Sequence, residues 1–262
     1  MGRSEKFLTD TEFNVNQLIS KIKNSSENLN DEEKKILEEI ISDFKNNDFS
    51  LLTPQEINWM EKNKSILWPK YLVYRYNFKN LPKKKELASV PLHLLIEPVS
   101  ACNLRCVMCF QIDETFSGNS DFMGMMKLDL FKKIIDDATS CGIHALTLAS
   151  RGEPTLHPEF KKMVEYCKGK FFEFKINSNV TKLSEDLIHS ILSNDVTEMV
   201  FSVDSYYKEE FESLRVNANF EEVVENIKKF KQIRDEFYPN SNCVTRASGV
   251  QVSEKQDAKK FE

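Results

Sequence analysis

From residue 92 onward, short apolar runs of strand length alternate with amphipathic stretches of helix length, and this alternation restricts the fold more than any other feature of the chain. The strand-like runs are "LHLLIEPV", "HALTLAS", "FFEFKINSN", "EMVFSVDS" and "CVTRASGVQV". Between them lie "LDLFKKIIDDATSCG", which Gly142 stops, then "HPEFKKMVEYCKG", "SEDLIHSILSND" and "FEEVVENIKKFKQIRDEFY", all with helical spacing of apolar residues. Strands joined through helices pair in parallel by right-handed crossovers, so the pattern predicts an α/β barrel or a doubly wound sheet. In both, ligands gather at the C-terminal ends of the strands.

The first 90 residues read differently. "FNVNQLISKIKN" and "NDEEKKILEEIISDFKNN" place apolar residues three and four apart, the second opening with Asn30 or Asp31 as a cap. "TPQEINWMEKNKSILWPKYLVYRYNF" starts at a Thr53-Pro54 helix signal and continues as a helical, aromatic-rich segment. "KNLPKKKEL", with Pro82 and three lysines, reads as a solvated connector. The expected organisation is a helical N-terminal extension over 1–90 and an α/β unit over 91–262.

Composition narrows the partners. With 41 acidic and 36 basic residues the net charge is near −5, and no basic block offers a phosphate-binding face, so neither nucleic acid nor an anionic membrane is expected as a partner. The longest apolar runs are too short to span a bilayer, the start "MGRSEKFLTD" lacks the apolar core of a signal peptide, and Lys6 disfavours myristoylation. A cytoplasmic location is expected. There, six cysteines are not a disulfide framework, and clustered ones hold metal or do redox chemistry.

Three of the six fall in "CNLRCVMC" as Cys102, Cys106 and Cys109, in the loop after the first strand. Cys141, Cys167 and Cys243 stand alone and read as small buried hydrophobes. Three thiolates suit zinc or an iron–sulfur cluster, but a four-ligand zinc site usually pairs two CxxC knuckles, and there is no second pair. Three ligands on a four-iron cubane leave one iron open, as catalytic metal sites do. A non-catalytic zinc-binding interaction module is the alternative of another class.

The C-x3-C-x2-C spacing resembles the signature of the radical SAM superfamily, and the likeness runs over roughly residues 92–255. It implies a partial parallel (β/α) barrel of about five to six strands, and an enzyme. Cys102, Cys106 and Cys109 would bind a [4Fe-4S] cluster whose free iron chelates S-adenosylmethionine, to be cleaved to methionine and a 5′-deoxyadenosyl radical. Flavodoxin or ferredoxin is the implied electron donor. "SRGEPTLHPEF" is similar to the family's Gly-Gly-Glu-Pro motif, with Arg151 in place of the first glycine; Gly152 then shapes the turn and Glu153 accepts from the cofactor ammonium. "KINSNVTKL" resembles the Thr-Asn-Gly strand end, aligning Ser178 and Asn179 and putting Val180 where glycine is usual. "VFSVDSYYKEEFESLR" resembles the Ser-x-Asp strand end and its following helix, which places Ser202 and Asp204 toward the ribose and Arg215 toward the cofactor carboxylate. Met108 stands where many members have an aromatic residue, so adenine packing falls to Phe110 or to the Met108 sulfur.

No catalytic residue for the substrate step is singled out. His144, His157 and His189 are scattered, His157 before Pro158 reading as a helix-start residue, and "FMGMMKL" reads as a loop into the next helix. The motif spacing looks most like the branch that often carries a C-terminal SPASM or twitch region. The chain stops at "SEKQDAKKFE", in the helix expected after the fifth strand, so a fragment of a longer, six-stranded barrel is expected. The substrate is expected to be a sugar or other small metabolite, with peptide or protein side chains as the second class.

Overall fold

The computed structural model describes residues 15–252 and residue 256, so the expected helix over 253–262 lies, Gln256 apart, outside the described residues. Two compact units divide between Leu92 and His93. Among the described residues no helix is long and apolar enough to cross a membrane.

The helical unit contains α1 (Val15–Asn24), α2 (Asp31–Lys45), α3 (Pro54–Lys62) and α4 (Trp68–Lys84). Asn30 caps α2 in a reciprocal box, its side chain accepting from the Glu33 amide at 2.9 Å and its own amide donating to the Glu33 carboxylate at 2.9 Å. The aromatic segment after Thr53 is two helices, because the Trp68 indole captures the carbonyls of Met60 and Asn63 that end α3. Pro69 then begins α4, where the first turn needs no amide. The lysine run is no simple connector: α4 continues through Pro82 to Lys84 and stops at Lys85, at φ 58°, with these lysines exposed. Pro82 is tolerated there because it lies in the last turn. Buried between the helices, Glu56 accepts from Arg75 Nε at 2.7 Å and pairs with Lys79 Nζ at 3.2 Å.

In the second unit, β1 (Leu94–Ile96), β3 (Ala145–Leu148), β4 (Glu173–Ser178), β5 (Glu198–Ser202) and β7 (Val244–Ser248) form one parallel sheet in the order β1-β3-β4-β5-β7. Each strand lies beside the next in sequence without reversal. A doubly wound sheet reverses at a switch point, so this order belongs to the barrel arrangement. One pleat face, Ile96, Leu148, Ile176, Met199 and Phe201 among others, packs against α6 (Leu128–Ser140), α7 (Phe160–Tyr166), α8 (Glu185–Ser193) and α10 (Phe220–Phe237) through Phe131, Met163, Ile188 and Phe230. Each such side chain contributes about 1.5–3 kcal/mol by leaving water. The alternate positions, Leu95, Thr147, Lys175, Asn177, Val200 and Arg246, share the opposite face.

Cys167 and Cys243 join the core, but Cys141 is exposed at the end of α6, because the chain has already turned away from the sheet there toward Gly142 at φ 81°. The sequence pattern also did not reveal a two-residue antiparallel ribbon of β2 (Arg105–Cys106) and β6 (Arg215–Val216), which pairs Cys106 with Arg215. Between them in the chain lie α5 (Glu114–Ser117) and α9 (Lys208–Leu214).

Candidate active site

Cys102, Cys106 and Cys109 are half-buried in the loop that leaves β1, at the C-terminal end of the sheet. Cys106 is held by the β2–β6 ribbon, extended by the Val107 amide on the Leu214 carbonyl at 2.9 Å, and the Cys109 amide closes a turn on the Cys106 carbonyl at 2.9 Å. Burial pushes the Cys106 thiol up to about 11, with Arg215 opposing and the other two cysteines adding to the rise. Cys102 is also raised by burial, while the Leu104 amide and the Asn179 side chain favour its thiolate. Among the described residues no three Cys, His, Asp or Glu side chains converge as ligands of a single ion.

The loop is stitched to the turn after β3. A Cβ on Gly152 would sit 1.8 Å from the Val99 carbonyl oxygen and 2.7 Å from that of Ala101, so only glycine lets the two backbones meet. The Glu153 amide donates to the Ala101 carbonyl at 2.9 Å. Gln111, fully buried, donates to the carbonyls of Ser100 at 2.6 Å and Arg151 at 2.8 Å, clamping both segments from the far side. Arg151 grips Glu97 at the exit of β1 with its backbone amide at 2.7 Å and its guanidinium at 2.7 Å, and lies over the Phe116 ring at 5.2 Å. Just before it, Ser150 holds φ 110°, a strained value of the kind that collects at functional sites.

Glu153 is 3% exposed, and four neutral donors surround its carboxylate: the Thr155 amide at 3.2 Å and hydroxyl at 2.7 Å, the Ser178 hydroxyl at 2.8 Å and the Asn179 amide at 2.7 Å. Burial raises its pKa in spite of these bonds. Ser178, Asn179 and Val180 form the turn after β4, all buried. Val180 adopts φ 69°, so a branched residue keeps the glycine-like turn; its amide donates to the Ser178 hydroxyl at 2.9 Å, and its side chain is anchored in the core.

After β5, Ser202 is half-buried beside Ser248, while Asp204 is wholly buried, with Oδ2 2.7 Å from Arg215 Nε and Oδ1 accepting from the Val250 amide at 2.8 Å. Asp204 and Arg215 thus form a buried ion pair beside the cysteine ribbon. Phe110 is 46% exposed and meets Phe116 edge-on at 5.2 Å, with Met108 half-buried beside it. His157 is placed structurally, with Nδ1 accepting from the Glu159 amide at 3.0 Å and Nε2 2.8 Å from the Met126 carbonyl. Sequence reasoning missed Glu97, Asn103, Gln111 and Thr181. The position of Gln111, two residues after the third cysteine, was the one signal available.

The family profile described as the Radical SAM superfamily matches residues 96–244, more than half of the chain. A tungsten-containing aldehyde ferredoxin oxidoreductase cofactor-modifying protein of Pyrococcus furiosus is 36% identical over 113 residues, 43% of this chain and 30% of that protein. A cysteine-type anaerobic sulfatase-maturating enzyme of Clostridium novyi is 31% identical over 159 residues, 56% of this chain and 42% of that protein. The chain thus spans less than half the length of either relative. The crystal structure of Streptococcus suis SuiB bound to precursor peptide SuiA superposes with a TM-score of 0.52 at 18% identity, over 76% of this chain and 42% of SuiB, which shows a shared fold.

Proposed function

The chain belongs to the radical SAM superfamily, and on that premise we propose that Cys102, Cys106 and Cys109 hold a [4Fe-4S] cluster beside a seat for S-adenosylmethionine. When bound and reduced, this pair of cofactors supplies a 5′-deoxyadenosyl radical, by one-electron cleavage of the sulfonium, for removal of a hydrogen atom from substrate. The donor set fits: three half-buried thiols share one loop at the C-terminal end of the sheet without converging on one point, as suits a group wider than a single ion.

The observation that carries the reading is Glu153. Its buried carboxylate accepts only from neutral groups, three on Oε1 and the Asn179 amide alone on Oε2, and among the described residues none of its hydrogen-bond partners is a cation. Neutral donors satisfy geometry but not charge, so the site is electrostatically complementary to an ammonium group. Glu153 accordingly attracts the cofactor ammonium, with Gly152 and Asn179 shaping the turns on either side. The family resemblance assigns Arg215 to the cofactor carboxylate, with Asp204 matching its charge and fixing its direction. The resemblance assigns Ser202 and Asp204 to the ribose, Asp204 being buried in this structure, and Phe110 and Met108 to adenine.

For the substrate, a sugar-like small metabolite is favoured. The sheet face opposite the helices carries Lys175, Asn177 and the Arg246–Glu198 pair beside Leu95 and Val200, polar groups that suit hydroxyls. A peptide is the second reading, favoured by exposed Phe110, Ile112, Phe122 and Met125 along the loop after the cysteines and by the protein-maturing activity named for the Clostridium relative. Flavodoxin or ferredoxin is proposed as reductant in the cell.

The test is anaerobic reconstitution followed by dithionite and S-adenosylmethionine. About four irons per chain, lost in Cys102→Ala, Cys106→Ala or Cys109→Ala, and slow release of 5′-deoxyadenosine are expected. Stoichiometric zinc without iron in native preparations would overturn the reading in favour of a structural zinc module.

A further inference from the structure

Three side chains beside the first cysteine close a ring of hydrogen bonds. Asn179 Nδ2 donates to Asn103 Oδ1 at 3.0 Å, Asn103 Nδ2 donates to Thr181 Oγ1 at 2.8 Å, and the Thr181 hydroxyl donates to Asn179 Oδ1 at 2.8 Å. The Thr181 amide adds a second bond to Asn179 Oδ1 at 3.1 Å. Turning the Asn179 amide over would break the three of these bonds in which it takes part, so its orientation is set. An amide nitrogen has two hydrogens, and the ring uses one. The other faces the Cys102 sulfur, 3.8 Å from Nδ2. The Leu104 amide approaches the same sulfur at 3.5 Å. Among the described residues, the other two cysteines of the loop show no such donor to sulfur.

We propose that Asn179, oriented by Asn103 and Thr181, donates to the Cys102 thiolate and thereby raises the reduction potential of the cluster that this thiolate binds. The inference rests on the cluster reading above. One-electron reduction adds negative charge that spreads onto the sulfur ligands, and an N–H dipole aimed at a sulfur stabilises the reduced state more than the oxidised one. Burial strengthens the effect, since Asn179 is 5% exposed and little water screens the dipole. The ring ties the β4 turn to the cysteine loop, so the sulfur has a donor whose direction does not depend on solvent.

The test is a redox titration of the reconstituted full chain, followed by electron paramagnetic resonance. It is done without S-adenosylmethionine, so that no contact to that cofactor contributes. Asn179→Ala should keep its iron and shift the one-electron reduction equilibrium about three- to tenfold toward the oxidised form, about 30–60 mV at 59 mV per tenfold. Thr181→Val, which frees the amide to turn while keeping its donor, should shift it in the same direction by less. Cys141→Ala, at an exposed position remote from the loop in sequence, should leave the potential where it was. If Asn179→Ala does not fold, the Thr181→Val shift decides. A potential unchanged in iron-loaded variants overturns this inference and leaves the cluster reading intact, whereas a wild-type chain that takes up no iron overturns both.

Discussion

Each unit of the molecule buries a glutamate, and the two are treated in opposite ways. Glu56 in the helical unit is fully buried against Arg75 and Lys79, and its pKa is lowered: burial alone would raise it, but Thr53 and the two cations more than offset that. Glu153 in the barrel is almost as deeply buried among hydroxyls and amides, and its pKa is raised. A buried carboxylate with matched cations holds helices together and has little left to offer a ligand. One that accepts only from neutral donors is electrically unmatched and stores an attraction for a cation from outside. Backbone strain divides less sharply, since the barrel also holds Asp195 at φ 59° past the end of α8 and Asn217 at φ 75° after β6. The helical unit's left-handed residues, Asn47 and Lys85, sit at helix ends, whereas Ser150 and Val180 flank the site.

The comparison can be broken most directly at Glu56. Glu56→Gln leaves Arg75 and Lys79 with an uncompensated buried charge and should cost the helical unit about 3–5 kcal/mol. Both tryptophans, Trp59 and Trp68, lie in that unit, so denaturation followed by their fluorescence reads it alone. A loss below about 1 kcal/mol would mean that the pair is no strut.

Glu153→Gln strands no cation but turns an NH2 group toward a buried donor, so it should cost the barrel about 1–3 kcal/mol, and it should weaken S-adenosylmethionine binding by about 1.5–3 kcal/mol, roughly 10- to 100-fold, with iron content unchanged. Calorimetry on the reconstituted protein measures it. Equal affinity would mean that the carboxylate serves its four neutral donors only.

Val180→Gly sets strain against packing. It relieves about 1–2 kcal/mol of left-handed strain but loses about 1.5–3 kcal/mol of burial and about 0.5–1 kcal/mol of chain entropy, for a net loss of about 1–2 kcal/mol. A gain in barrel stability by circular dichroism would show the turn to be more strained than its packing justifies.

Acid provides the smallest and most general contrast. For Glu56, whose folded pKa lies below the ordinary 4.5, the stabilisation is present above that pH and lost as pH falls through the folded value. For Glu153, whose folded pKa lies above 4.5, the contribution is full below that pH and lost as pH rises through the folded value. Glu56→Gln should therefore flatten the acid-side decline in tryptophan-detected stability, and Glu153→Gln should flatten a decline above pH 4.5 in the barrel. The same slope in wild type and variant would remove the corresponding glutamate as its source.

Periodicity made much of this architecture legible. The alternation of Phe174, Ile176 and Ser178 with Lys175 and Asn177 announces β4, and Asn30 with Glu33 announces the start of α2. The pairing of the antiparallel ribbon was not legible, unlike the parallel pairing of the main strands. The β2–β6 ribbon is two residues long, too short for any pattern, and its register comes from chain segments far apart in sequence. Cys141 follows a helical run as a core residue would, yet the run has ended and the side chain meets solvent. Pro82 signals a break by chemistry, but its place in the last turn of α4 removes the conflict.

The sequence by itself determined the order of strands and helices, the three-cysteine loop and the glycine on which that loop rests, because each depends on neighbouring residues or on the size of one side chain. Only the tertiary structure decided which buried charge is matched and which is left open. Glu56 meets Arg75 across 19 positions, Glu153 meets Asn179 across 26, and Asn179 reaches Cys102 across 77. Electrostatic character follows distance in space, burial and the direction of each donor. No local pattern carries these, so a glutamate that braces helices and one suited to receive a cation look the same until the chain has folded around them.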